Sequence, residues 1–300
     1  YGRINLKLAL LSGLVLAILL AFFGLRYRDT GPELESVVSG LTKKNEAISR
    51  MRINLIKSAD VEKAAVMADT DELSRSLADQ SLQAAEAVEA DRLELTELIE
   101  HDPTENERNL LREFNTCWEQ SWKIDKVLLD FAVENTNIKA AGLSFTQGSK
   151  SLERFEKNLI DLVDDNASNS RKFQIMNALA TALVAGFKIQ YQQAPHIAAA
   201  NDGEMDRIEK EMRVSQEIVE DSLTRLGHIV PAEARATLLD AVSAFDEFKA
   251  VNAQVITLSR QNSNVKSFEL SLGRKRKLTT QCDEVLTSLQ AAVRNRTFEA

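Results

Sequence analysis

Between Thr42 and Ala141 the chain contains no glycine and a single proline, Pro103. A many-stranded sheet needs turn residues at regular short intervals, so a hundred residues with so little punctuation specify long helices. The abundant Leu, Ala, Glu, Lys and Arg suit that reading. A first helix is expected over roughly residues 34–68, with Leu41, Ile48, Met51 and Leu55 on one stripe. A second follows over about 71–100, carrying Leu77, Ala84, Val88, Leu95 and Leu98 in steps of three and four. Asp102-Pro103 breaks the chain, and Thr104 can cap a third helix with Glu107 three residues on. That helix shows the clearest seam, with Leu110, Phe114, Cys117, Ser121, Ile124, Leu128, Phe131, Asn135 and Ile138 at a/d spacing. A fourth begins near Gly148 with Leu152, Phe155, Leu159 and Leu162. Four amphipathic helices with short connections predict an all-α fold built on an antiparallel four-helix bundle.

The second half repeats the first at an offset of 127 residues. Asn135-Thr136-Asn137-Ile138-Lys139 recurs as Asn262-Ser263-Asn264-Val265-Lys266, and Leu143-Ser144 as Leu270-Ser271. Core positions follow: Phe155, Leu159 and Leu162 map to Cys282, Leu286 and Leu289. The repeat predicts two tandem four-helix modules, 29–167 and 168–300. No Gly or Pro occurs from Ser149 to Ala185, so one helix is expected to run unbroken between the modules and give an elongated stack. Pro195 should kink the fifth helix or end it near Ala194.

Residues 1–28 form a separate segment. Leu8–Leu25 is an unbroken apolar or small-residue run, about 27 Å long as a helix, which matches a bilayer core. The stretch Phe22-Phe23-Gly24-Leu25-Arg26 lacks a small-x-small cleavage site. The expectation is an uncleaved transmembrane anchor with a cytoplasmic N-terminus. The second apolar patch, Ile175–Phe187, is too short to span and is read as bundle core.

Arg3, Lys7, Arg26 and Arg28 are the only charges of the anchor segment, so the remaining chain carries −12 against −8 for the whole. An acidic body of that kind excludes nucleic acid as a partner. Cys117 and Cys282 both fall on apolar faces and are read as buried thiols rather than a bridge. The three histidines show no metal-ligand spacing. No Walker, dinucleotide-binding or nucleophile-elbow motif occurs. A non-enzymatic chain without cofactor or metal is expected.

Three stretches carry a family likeness: residues 62–72 (Glu62-Lys63-Ala64-Ala65-Val66-Met67-Ala68-Asp69-Thr70-Asp71-Glu72), Phe114-x-x-x-Trp118, and Asn135-Thr136-Asn137-x-Lys139-x-x-x-Leu143-Ser144. Residues 50–166 resemble the four-helix-bundle sensor domain of methyl-accepting chemotaxis proteins, and the second module looks like a diverged copy, most clearly over Ser259–Ser267. The resemblance implies a homodimeric receptor with its bulk in the periplasm, on the outer side of the cytoplasmic membrane. It implies further that a second membrane helix, a linker and a signalling rod follow residue 300. The tandem second bundle departs from the family pattern.

Three residues are candidates for ligand contact. Arg50 and Arg52, midway along the first helix, could hold a carboxylate in their guanidinium forks, or be solvated or paired with acids of the second helix. Trp122 shares a helix face with Trp118, and the pair could wall a pocket, pack between dimer mates, or belong to ordinary bundle packing. Asn135 and Asn262 sit at core heptad positions, where they could line a ligand cavity, form a polar layer that shifts on signalling, or fix the register as buried asparagines. The leading expectation is an extracytoplasmic input domain of a chemoreceptor, engaged by a small molecule or a periplasmic binding protein. The alternatives are the input domain of a sensor histidine kinase and an anchored structural scaffold.

Overall fold

The computed structural model describes residues 35–165 and 170–299. The expected anchor, Leu8–Leu25, lies outside them. Among the described residues no helix is long and apolar enough to cross a membrane. There the chain is all-helical, with no strand. Helix α1 covers residues 35–66, α2 Asp71–His101 and α3 Glu105–Glu134. A short α4, Thr136–Leu143, and a π-helical turn, Ser144–Gly148, lead into α5, Ser149–Asp165. Then come α6, Lys172–Ala198, and α7, Asp202–Ile229; a 3-10 turn at Ala232–Ala234 precedes α8, Arg235–Gln261. Finally α9, Ser263–Leu270, and a second π turn, Ser271–Lys275, lead into α10, Arg276–Glu299.

The helix starts follow local chemistry. Thr104 Oγ1 accepts from the Glu107 amide at 3.1 Å, the cap expected from the sequence. Thr70 Oγ1 receives the Leu73 amide, and Asn201 Oδ1 that of Glu204, so α2 and α7 begin in the same way. Asp71 and Glu72, and Asp202 and Glu204, place acid at the positive ends of those helices. The fifth helix, α6, does not end near Ala194: it runs through Pro195 to Ala198. Nor do α5 and α6 form one rod. The chain turns at residues 170–171, after the polar run Asp164-Asp165-Asn166-Ala167-Ser168-Asn169-Ser170, whose residue types favour turns without any Gly or Pro.

The chain divides into two compact units. The first takes the chain up to Val61, Asp79–Ile124 and the chain from Lys275 onward; the second takes Glu62–Ala78 and Asp125–Arg274. The core of the first joins Leu41, Ile48, Met51 and Leu55 of α1, Val88 and Leu95 of α2, Phe114 and Cys117 of α3, and Cys282, Leu286 and Leu289 of α10. The core of the second joins Leu152, Phe155 and Leu159 of α5, Leu179 and Ala182 of α6, Met212 and Val219 of α7, and Phe245 and Phe248 of α8. Each core therefore has four helices, but the boundary expected at 167/168 is not where they separate. The last helix of each sequence repeat, α5 or α10, fills the core built by the first three helices of the other. The physical reason is that the two copies have nearly the same apolar pattern, so periodicity specifies which face of a last helix is buried but not in which bundle.

The first unit also holds the disulfide Cys117–Cys282, joining α3 to α10 with Cα atoms 5.8 Å apart. The reading of two separate buried thiols is thereby corrected: both cysteines face one core from helices 165 residues apart in sequence. At one end of this core, the fully buried Lys44 donates to Glu107 Oε2 at 3.0 Å and to the Asp102 carbonyl at 2.6 Å. Arg296 donates to the other Glu107 oxygen at 3.1 Å. In the second unit, Gly186 lets α6 approach α5 closely. A Cβ there would lie 3.2 Å from the Leu152 side chain.

Candidate functional site

On the first unit, α2 and α3 enclose a groove of about 490 Å³ lined by Glu89, Arg92, Asn115, Trp118, Glu119 and Trp122. Its residues come in helical register, since Glu89 and Arg92 on α2, and Asn115, Trp118 and Trp122 on α3, lie three or four positions apart. Trp118 is buried and forms the floor; its ring centroid is 5.7 Å from that of Trp122, at an angle of 55°. Arg92 grips Glu89 with two bonds, Nε to Oε2 at 2.8 Å and a terminal nitrogen to Oε1 at 2.6 Å. Its other terminal nitrogen donates to Asn115 Oδ1 at 3.2 Å, and the Trp118 indole N–H donates to Glu89 Oε2 at 3.0 Å. The Arg92 hydrogen bonds hold the Glu89 carboxyl below the usual carboxylate range; partial burial opposes this and the Trp118 bond adds to it. Arg92 thus keeps two of its five N–H groups for other acceptors, beside the Asn115 amide and two indoles. The arrangement is a small amphipathic cleft with a donor-rich edge, of the kind that binds small molecules.

Of the sequence candidates, only Trp122 lies in this groove. Arg50 reaches across to α2, binding Asp91 at 2.7 Å and Glu94 at 2.5 Å. Arg52 turns to α10, where it binds Asp283 through two nitrogens and Gln290 through one. Both arginines therefore serve as interhelix ties, and the structure does not bring them together with Trp122. Glu89, Arg92 and Asn115 were not legible as lining residues. Charged and amide side chains at three-residue spacing occur all along α2 and α3, and none is marked out by pattern.

On the second unit, Asn135 and Asn262 occupy equivalent positions with unusual backbones. Both are left-handed, at φ 51° and 55°, and no other described non-glycine residue has positive φ. Neither lies inside a continuous helix: each separates two helices, α3 from α4 and α8 from α9. Asparagine is among the few non-glycine residue types that visit this conformation as single residues. The breaks meet about a local two-fold. The Thr136 amide donates to Ser263 Oγ and the Ser263 amide to Thr136 Oγ1, both at 3.0 Å. The Asn137 amide donates to Asn264 Oδ1 at 3.1 Å, and the Asn264 amide to Asn137 Oδ1 at 3.2 Å. Asn137 Nδ2 donates to Asn262 Oδ1 at 2.8 Å, and Asn264 Nδ2 to Asn135 Oδ1 at 3.0 Å. The free amide group of Asn262 goes to the Ala199 carbonyl, that of Asn135 to Asp71. Nine residues beyond each asparagine the helix passes into its π turn. At the first of these turns Gln190 donates to the Ser144 carbonyl, and Ser144 donates to the buried Gln193. π turns insert one extra residue and often mark functional sites.

A third cluster superficially resembles a catalytic relay. His196 Nδ1 lies 2.8 Å from Ser259 Oγ, and Nε2 lies 3.0 Å from Glu209. Ser259 Oγ, however, donates to the His196 carbonyl at 3.0 Å, so the hydroxyl is tied to the backbone. Both residues are fully buried. Burial pushes the Glu209 carboxyl up, but the bonds from Arg260 and His196 outweigh it and hold the group low. The cluster is a buried tie among α6, α7 and α8. Among the described residues no group of three His, Cys, Asp or Glu side chains is placed to hold a metal ion.

No protein-family model matches the chain, and no curated protein matches it in sequence. Among solved structures, the chain is similar to the sensor domain of the V. parahaemolyticus histidine kinase sensor TorS. The similarity has a TM-score of 0.54 at 12% identity and covers 87% of this chain and 100% of that domain. At that identity the two share a fold, and on the described residues that fold is all-helical.

Proposed function

We propose that this chain is the sensory input domain of a membrane-anchored receptor whose output is a histidine kinase. The observation that carries the reading is the fold shared with the whole length of a histidine kinase's sensor domain. It favours the kinase over the methyl-accepting receptor suggested by the sequence resemblance. Leu8–Leu25 would tether the chain, with its bulk outside the cytoplasmic membrane. The Cys117–Cys282 disulfide suits that placement, because disulfides persist in oxidising compartments. No catalytic role is proposed for the chain itself.

The stimulus would be a small molecule in the Trp118–Trp122 groove or a binding protein that docks on the helices. Either drives a signal only by binding one packing of the helices better than another. The paired Asn breaks and π turns offer a place where helix register can change in small steps. The open reading frame after residue 300 tests the output. A phosphoacceptor histidine followed by an α/β ATP-binding domain is expected. Long uninterrupted heptads would instead return the chain to the chemoreceptor class, and the absence of any output would leave a scaffold. A thermal-shift screen on the chain tests direct sensing, since a native-state ligand must raise its melting temperature.

A further inference from the structure

Helix α6 buries one side in the second unit and leaves the other bare. The segment Ile175–Phe187, expected to be core, is core on only that one side: Ile175, Leu179, Ala182 and Ala185 face inward. The outward positions are Phe173, Met176, Ala180, Val184, Phe187 and Tyr191. Phe173 is 85% exposed, Val184 70% and Tyr191 79%. Their steps of three and four average the helix period, so they form one straight stripe about 27 Å long. Along it Lys188 is the exposed charge, and α6 contains no acid. Val214 and Ile218 of α7 widen the stripe. Between the two helices lies a groove of about 390 Å³ lined by Ala180, Thr181, Val184, Ala185, Lys188, Ser215 and Ile218.

We infer that this stripe is the face on which a second copy of the chain packs, α6 against α6. Three observations point to a second copy. First, the area fits. At roughly 200 Å² for an exposed aromatic, Phe173, Phe187 and Tyr191 leave about 400 Å² of apolar surface, and the aliphatic neighbours bring it to about 700 Å². That exceeds the largest apolar patch of a typical monomer, about 300–600 Å². Two such faces bury about 1,400 Å² together, inside the range of stable interfaces. Second, the face is self-complementary: it carries projecting aromatic rings and, beside small Ala180 and Ala185, a groove able to receive them. An isologous interface needs both on one surface. Third, the charges suit it. Lys188 gives the face a cation, and the exposed acids Glu217 and Asp221 lie one position before and three positions after Ile218 on α7, so that a partner copy can bring an acid to it. The same acids, on a chain of net charge −8, disfavour an anionic lipid surface as the occupant. The inference does not depend on which output domain follows the chain.

The test uses the full chain in detergent micelles and in proteoliposomes. Sedimentation of the wild type should show a dimer. Val184→Glu places like charges face to face at the centre of the stripe and should raise the dimer Kd at least about 100-fold. Because Val184 is exposed, this variant keeps its helical circular dichroism. Asp240→Lys, at an exposed position on α8, should leave the Kd unchanged. In proteoliposomes Val184→Cys should cross-link to dimer under mild oxidation far faster than Asp240→Cys. A wild type that stays monomeric, a Val184→Glu variant that stays dimeric, or equal cross-linking at the two positions would overturn the assignment. So would a monomeric chain whose stripe is protected only by vesicles or by another protein.

Discussion

The left-handed asparagines make a prediction whose sign distinguishes two roles. Replacing Asn135 by Ala removes two hydrogen bonds, to Asp71 and from Asn264. At about 1 kcal/mol each, these contribute about 2 kcal/mol. Alanine must also hold φ near 51°, which costs a further ~1–2 kcal/mol. The expected loss is about 3–4 kcal/mol. Asn135→Gly loses the same bonds but accepts the backbone, so its cost should be about 2 kcal/mol, with glycine's greater unfolded-state freedom nearly offset by relief of strain. Asn262 loses its bonds to Ala199 and from Asn137, and should show the same order, Ala worse than Gly. Were these residues register-fixing asparagines inside continuous helices, alanine would instead be the better replacement by about 1 kcal/mol. Urea unfolding of the four substituted chains and the parent, followed by far-UV circular dichroism with the disulfide intact, measures the difference. An Ala variant at least as stable as its Gly counterpart at both sites would refute the argument.

Other perturbations have equally definite outcomes. Glu107→Gln leaves buried Lys44 only the half-exposed Asp102 carboxylate, 3.9 Å away, and should cost about 3 kcal/mol, whereas Lys44→Met/Glu107→Gln should recover part of that; additive single effects in a double-mutant cycle would show that the pair is not coupled. Reducing Cys117–Cys282, or replacing both cysteines by alanine, should lower stability by about 2–5 kcal/mol, read as matching drops in Tm; unchanged melting would mean that the bridge does not form. Glu89, held below the ordinary carboxylate range by Arg92, and Glu220, held low by Lys249, bind protons more readily when unfolded. Their contribution is therefore full above the ordinary value of about 4.3 and lost as pH falls below it through the folded-state values. Arg92→Ala and Lys249→Ala should each flatten the acid limb of a stability–pH curve, and an unaltered limb would contradict the assignment.

What was legible in the sequence was what a single helix can encode. The seam Leu110, Phe114, Cys117, Leu128 and the Thr104 cap are one-dimensional patterns, and they reappear as written. So does the duplication, down to matching helix breaks and π turns at an offset of 127. What failed was partner choice. Cys282, Leu286 and Leu289 mark a buried face equally well for either bundle, so the exchange of α5 and α10 and the Cys117–Cys282 pairing lie beyond periodicity. The half-buried character of α6 was hidden for a related reason: an apolar residue on every face reads as core whether or not anything covers its outer side. In the groove, the two tryptophans were visible because the chain has no others. Arg92 and Glu89 were not, among so many charged helix positions.

The exchanged last helices have a consequence for what it means to cut this molecule. A nick in the short connection between α5 and α6 would yield two polypeptides, neither holding all four helices of either bundle. Each would lack one wall and carry the missing wall of its neighbour, while Cys117 on one piece stayed bonded to Cys282 on the other. A protease acting there would leave a particle that migrates as intact until a reductant is added, and then as two fragments that separate only once denatured.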